Sequence, residues 1–322
     1  MRPEEPSPHS TKVPHVLRAS WSGKIPAIIV VLALAGCAPA SPEPTHQSVQ
    51  PRVAPRLTPN GPGERLIIDR YTNKFVLYDL DAQAIVGVDG RPQTFVYAFA
   101  SGESDLVTVG SSDRGDFSIG RVGASGYEPV LDLPHSAAFP LAVGEYTYFT
   151  VNSYAQDGTI ATRAVAYLSD GKLVEMPQLT GAVTGGAAVN GELWYTTYEE
   201  ASDSFTLRSV TEKDPDAQPR ERRTGLASGT LFAYDGKVVT EGHFAKGINA
   251  DCDIYCTLDS ANDRLYTLKV AGDSLSLDAL SLVSGEVQQI VTGDVLDLMI
   301  GPTTTTVLLR DRVVSFDTKD LP

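Results

Sequence analysis

Histidine, cysteine, methionine and tryptophan are all scarce in this chain of 322 residues, which holds five, three, three and two of them. The shortage of histidine bears on chemistry. Beyond residue 63 there are His135 and His243 alone, too few for most metal clusters or acid–base arrays. Basic residues are also short, with 26 Lys and Arg against 40 Asp and Glu, a formal net charge of −14. Residues 1–37 carry four basic and two acidic side chains, so the remainder stands at −16. A chain this acidic repels nucleic acid and anionic headgroups, which argues against a nucleic-acid partner. Long apolar runs are missing too: none reaches the roughly 20 residues that span a bilayer.

What the N-terminus does have is a shorter run behind a positive flank. Lys12, Arg18 and Lys24 precede Ile25–Gly36, twelve residues without a charge, the length of a signal-peptide core. The run ends in Leu34-Ala35-Gly36-Cys37. This ending resembles the lipobox of bacterial lipoproteins. Small side chains let the extended chain enter a peptidase, and the thiol of Cys37 is the nucleophile that takes the lipid. The resemblance implies a chain cleaved before Cys37 and anchored on the extracytoplasmic face of the cell membrane. One acyl chain holds a protein marginally, whereas two or more hold it stably, and the lipoproteins it resembles carry at least two.

Residues 38–63 follow, with seven prolines in 26 positions and few large apolar side chains. Such a stretch cannot bury enough surface to fold alone, and it reads as a disordered, semi-rigid tether. From Glu64 to Pro322 the character changes. Short runs of β-formers, such as Lys74–Leu80, Glu192–Tyr198, Lys237–Thr240 and Thr303–Leu309, are separated by Gly, Asp, Asn and Ser. Hairpin dipeptides recur at Asp157-Gly158, Asp170-Gly171, Asn190-Gly191 and Asp235-Gly236, the favoured two-residue turns. The expectation is an all-β domain of roughly two dozen strands.

A longer repeat organises those strands. Glycine turns at Gly102, Gly144, Gly191 and Gly236 are spaced 42, 47 and 45 residues apart, and the next similar turn, Gly301, comes 65 residues later. A period of about 40–50 residues with four strands per unit marks a β-propeller. About six blades fit, with five or seven compatible. The long gap implies an insertion around Gly242–Asp263, and the strands from Val295 to Phe316 are expected to share a blade with Arg65–Val88. Residues 64–322 resemble bacterial propeller lipoproteins in general, the TolB-like type most. Trp-Asp pairs are absent, and Trp194 is the one tryptophan after Cys37, unlike WD40 or quinoprotein propellers.

Candidate sites are few. Cys252 and Cys256 form an even pair in an oxidising compartment once Cys37 is lipidated, so a disulfide is expected. Residues four apart in a strand lie about 13 Å apart, while a disulfide needs Cα atoms within roughly 4.4–6.8 Å; the chain must therefore turn there. That bridge would hold His243, Asp251, Asp253 and Tyr255 as a partner-binding loop. Asn249-Ala-Asp251-Cys-Asp253 alternates oxygen ligands but lacks the glycine and late glutamate of a calcium loop, so no metal is assigned. His135 follows Leu133-Pro134 and reads as structural. Ser169-Asp-Gly-Lys172 matches a Ser-x-x-Lys pattern but sits in a hairpin, where the enzymes that use it have a helix. Arg114-Gly115-Asp116 reads as a tight turn. No catalytic residue and no cofactor is assigned.

The sequence thus suggests a lipid-anchored, extracytoplasmic binding or scaffold module, not an enzyme, whose partner is an envelope protein or glycan. The alternative is a glycan hydrolase or lyase using carboxylates in the channel. Acylation is directly testable. Cells fed radiolabelled palmitate should label the wild-type chain and leave Cys37→Ser unlabelled; equal labelling of the two would remove Cys37 as the lipid site.

Overall fold

A computed structural model describes residues 55–91, 94–99, 105–111, 116–123, 125–250, 252, 254–272 and 274–321. Cys37, residues 38–54, Asp251 and Asp253 lie outside them. The described chain is all-β, with 24 strands in seven antiparallel sheets and two short 3-10 turns. No described helix is long and apolar enough to cross a membrane.

The strands follow the chain, sheet by sheet. Sheet I holds β1 (Glu64–Asp69), β2 (Lys74–Asp79) and β3 (Ala84–Val88). Sheet II holds β4 (Thr94–Phe99), β5 (Asp105–Ser111), β6 (Phe117–Gly123) and β7 (Gly126–Leu133). Sheet III holds β8 (Ser136–Val143), β9 (Thr147–Tyr154), β10 (Ile160–Ser169) and β11 (Lys172–Met176). Sheet IV holds β12 (Ala182–Val189), β13 (Glu192–Glu199), β14 (Ser204–Thr211) and β15 (Arg220–Leu226). Sheet V has β16 (Leu231–Tyr234) and β17 (Lys237–Thr240). Sheet VI holds β18 (Tyr255–Asp259), β19 (Arg264–Ala271), β20 (Ser274–Ser281) and β21 (Val287–Gly293). Sheet VII closes the sequence with β22 (Val295–Ile300), β23 (Thr304–Leu309) and β24 (Val313–Asp317).

Seven apolar clusters join these seven sheets, and the reason lies in strand periodicity. Successive side chains of a strand point to opposite faces. In β1, Leu66 and Ile68 pack with Val96, Val107 and Val109 of sheet II. Ile67 points the other way and packs with Leu296 and Leu308 of sheet VII. In β19 the same split sends Leu265 toward sheet V and Tyr266 toward sheet VII. Leu106 and Ile119 join sheet II to Phe149 and Ala166 of sheet III. Leu141, Tyr148 and Met176 join sheet III to Leu193 and Tyr195 of sheet IV. Ala187 and Leu207 join sheet IV to Leu231 of sheet V. Each sheet therefore packs on its successor, and the seventh packs on the first. Each fully buried Leu, Val, Ile or Phe contributes roughly 1.5–3 kcal/mol, so the junctions carry most of the stability.

Three expectations change. The strands near the two ends do not share a sheet: β1–β3 and β22–β24 form separate three-stranded sheets. They meet by packing and by polar contacts instead. The Arg70 N–H donates to the Leu296 carbonyl at 2.9 Å, and Arg70 Nε donates to Asp297 Oδ1 at 2.9 Å with both residues buried. The sheet count is seven where six was favoured. The span Gly242–Asp263 is not all insertion, since it contains β18 and the turn that follows it. That turn closes on Asp263 with φ of 51° and has no glycine, which is why the 65-residue gap seemed to hide one unit fewer.

Residues before Glu64 also touch the domain. Leu57 packs with the cluster between sheets I and II, and Arg56 forms a bidentate pair with Glu64, both contacts at 2.7 Å. A side chain at Gly87 would strike the Arg56 carbonyl, with an added Cβ 2.0 Å from it. Arg56 and Leu57 thus contact the domain from inside the stretch assigned to the tether.

The Arg70–Asp297 pair is testable. Asp297→Ala removes the buried carboxylate that accepts from Arg70 Nε, and chemical denaturation should show a loss of about 1.5–3 kcal/mol, the worth of a hydrogen bond to a charged group. Replacing both partners, as Arg70→Met with Asp297→Leu, should recover most of it.

Candidate functional site

Where sheets I, VI and VII meet, the surface opens into a cleft of about 360 Å³, near the small end of the roughly 300–1,000 Å³ typical of ligand pockets. One wall is the β1–β2 turn, with Asp69, Tyr71 and Thr72; another is the β19–β20 turn, with Val270, Gly272 and Ser274; Asp294 and Arg310 complete the rim. Leu275, Val295 and Leu296 line the cleft and are buried. They give it an apolar floor.

The sequence builds the first wall through one aspartate. Asp69 ends β1 and is buried; its Oδ1 accepts hydrogen bonds from the N–H groups of Tyr71 at 3.0 Å and Thr72 at 3.2 Å. Asn73 then takes φ of 52° and its N–H returns to the Asp69 carbonyl at 2.8 Å. Asn is among the residues that tolerate this left-handed conformation best. The turn is fixed from both ends, and the Tyr71 ring projects outward, 60% exposed. Val270 across the cleft is 59% exposed. These are the two most exposed large apolar side chains of the described residues, and both border the same opening.

Electrostatics concentrate on Arg310. Its guanidinium lies 3.7 Å from Asp69 Oδ2 and 3.3 Å from Asp294 Oδ2. Among the described residues it makes these two ion pairs and no side-chain hydrogen bond. The wall thus offers donors flanked by acceptors, with a net charge of −1. Behind it, Arg70 lies over the Tyr255 ring at 5.0 Å while bonded to Asp297.

A second polar cluster lies between sheets III and IV. Tyr148 is buried and its hydroxyl accepts from the Lys213 N–H at 2.9 Å. The Lys213 ammonium sits over the Tyr146 ring at 4.8 Å. Beside them Glu212 is held above the usual carboxylate range, first by burial and then by the charge of Glu145, an effect the Tyr148 hydroxyl offsets in part. Burial pushes Tyr195, in the same core, up to about 12.

The expected site residues are scattered. Cys252 and Cys256 are at disulfide distance, with Cα atoms 5.6 Å apart. Cys256 is the second residue of β18, and the chain bends at Ile254 to bring Cys252 back. His243 is exposed on a loop whose Phe244 and Ile248 pack between sheets V and VI. Tyr255 is half-buried at the junction of sheets VI and VII. His243 and Tyr255 face different junctions, and Asp251 and Asp253 lie outside the described residues. His135 takes φ of 53°, and its N–H donates to Asp116 Oδ1 at 2.8 Å, a turn anchor. Ser169 pairs with Lys172 across a hairpin with Asp170 and Gly171 at φ of 50° and 70°. Among the described residues no group of three His, Cys, Asp or Glu is placed to hold a metal ion. Sequence reading missed the cleft; a tyrosine and an asparagine inside a turn that opens on aspartate were the available signal.

No family model matches the chain, and no curated protein does. Solved structures give distant likenesses. A nidogen/laminin complex aligns over 80% of this chain and 90% of its own, with 11% identity and a TM-score of 0.36. TolB from Acinetobacter baumannii aligns over 80% of this chain and 64% of its own, with 9% identity and a TM-score of 0.35. A prolyl endopeptidase aligns over 77% of this chain, which spans 34% of that enzyme, with 12% identity and a TM-score of 0.35. At TM-scores this low the likenesses decide neither fold nor function.

Glu212 gives a prediction with a definite sign. A carboxyl whose folded pKa is raised costs stability as pH climbs through the window above its unfolded value. Glu212→Gln should therefore raise the denaturation midpoint at pH 7 and have little effect near pH 3, where the wild-type group is protonated in both states. An equal gain at both pH values would show that burial of charge is not the cause.

Proposed function

We propose that this chain is a lipid-anchored, extracytoplasmic binding module, built as a seven-sheet β-propeller and carried on the membrane by Cys37. The Leu34-Ala35-Gly36-Cys37 ending supports the anchor. The succession of sheets, each packed on the next and the last on the first, supports the propeller. The observation that carries the binding reading is the cleft, where Tyr71 and Val270 stand exposed over a floor of Leu275, Val295 and Leu296. Exposing large apolar side chains at the rim of a concave surface costs solvation and serves a ligand.

A glycan hydrolase would need its two carboxylates to flank a scissile bond, with room for water between them. Asp69 and Asp294 do flank one cleft, but Arg310 stands between them and pairs with both. Both carboxylates are thereby paired with a cation. The arrangement holds a ligand better than it cleaves one.

A photoreactive amino acid at Thr72 tests this in intact cells. Illumination should shift the mobility of the Thr72 variant and leave a Val287 variant, on the outer strand of sheet VI, unshifted. No shift at Thr72, or the same shift at both positions, would overturn the cleft as the binding site. Release of reducing sugar from envelope glycan would favour the hydrolase instead.

A further inference from the structure

The cleft also has a ligand chemistry. Resting on the binding reading above, we propose that it takes a neutral saccharide unit, with the sugar ring against Tyr71 and adjacent hydroxyls on Arg310 and its two carboxylates. An arginine side chain has five N–H donors and no acceptor, whereas an ionised carboxylate accepts and cannot donate. Arg310 between Asp69 and Asp294 therefore alternates acceptor, donor and acceptor along one wall. A hydroxyl both donates and accepts. A vicinal diol can take a hydrogen bond from the guanidinium and give one to each carboxylate at once, using donors that the present ion pairs leave without hydrogen bonds.

Charge selects against other ligands. An anion would gain Arg310 but face two carboxylates that already lie 3.7 and 3.3 Å from it. Two like charges then oppose the anion where one guanidinium attracts it, so the repulsion offsets the gain. A cation finds its place between the carboxylates taken by Arg310. A neutral group with paired hydroxyls meets neither obstacle. The remaining wall suits the carbon face of a sugar. The Tyr71 ring is exposed, and its backbone is fixed by the N–H bond to Asp69 Oδ1, so little backbone freedom is lost on contact. Thr72 and Ser274 add hydroxyls at the rim, and Leu275, Val295 and Leu296 keep the floor dry.

The test uses the full chain solubilised from membranes and isothermal titration with maltotetraose, mannotetraose and chitotetraose as neutral probes, tetragalacturonate as the acidic one and tetralysine as the cationic one. At least one neutral probe should bind, and the charged probes should bind more weakly. Tyr71→Ala should weaken the neutral probe about tenfold or more, a change of about 1.4 kcal/mol. Arg310→Gln should weaken it as well, with circular dichroism confirming the fold of each variant. Val287→Ala, exposed on β21, should leave binding unchanged. Tighter binding of either charged probe, no saturable binding of any neutral probe, or equal binding by Tyr71→Ala would overturn the proposal. A protein crosslinked at Thr72 without any saccharide binding would overturn the sugar assignment while leaving the binding module in place.

Discussion

Arg70 and Asp297 are separated by 227 residues and joined by a buried hydrogen-bonded ion pair of 2.9 Å. The first and last sheets meet around that contact. Among the described residues neither sheet has a fourth strand, and no strand of one is hydrogen-bonded into the other, so the junction they form relies on packing and on a few polar contacts. Ile67, Val76 and Tyr78 on one side meet Leu296 and Leu308 on the other. An apolar contact of this kind is indifferent to small slips. The ion pair is not. A buried ion pair adds little net stability beside an apolar pair of the same volume, but its hydrogen bond is made in a narrow range of geometry. We read Arg70–Asp297 as the device that fixes how sheet I seats on sheet VII. The Arg70 backbone bond to Leu296 sets the same register from the main chain.

The same turn does two jobs. Arg70 points inward to Asp297 and Tyr255, while its neighbour Tyr71 points outward into solvent. Asp69 serves both, since its carboxylate caps the turn through Oδ1 and reaches Arg310 through Oδ2. The cleft exists because this turn is held against the start of β22. Its shape is therefore tied to the junction, and a change that loosens the junction would also move the Tyr71 platform relative to Val270 and Arg310.

Much of the architecture was legible in the sequence. The runs Lys237–Thr240 and Val295–Ile300 coincide with β17 and β22, because β-branched and aromatic residues bounded by turn formers leave little ambiguity. Asn190-Gly191 and Asp235-Gly236 take the positive φ pairs that two-residue hairpins require. The count of units was harder. Counting relied on glycine turns, and several hairpins here close without glycine. Asp69–Asn73, Asp79–Gln83, Glu199–Asp203 and Asp259–Asp263 each end on a non-glycine residue with φ between 47° and 52°. Three of the four open on aspartate. Sheet V, with two short strands of four residues each, shortened the repeat further. The shared sheet at the two ends was expected from incomplete strand sets, but sequence does not distinguish a sheet completed by hydrogen bonds from two sheets that pack.

The site was less legible for a physical reason. Its residues come from four places, near positions 70, 272, 295 and 310, and none is unusual where it stands. Asp69 and Asn73 read as turn formers, Val270 and Leu275 as strand residues, and Arg310 as one of many surface charges. What distinguishes them is the outcome of folding. Two large side chains remain exposed on one opening, and a guanidinium pairs with two carboxylates. The cysteine pair drew attention in the sequence because chemistry marks it locally, yet both cysteines pack on the cluster of Leu265 and Leu280, and neither lines the cleft. Local chemistry pointed to sheets V and VI, while long-range packing built the opening at sheets I, VI and VII. A cleft that depends on the meeting of the first and last sheets is complete only when the whole domain has folded, so a partly folded chain would present none.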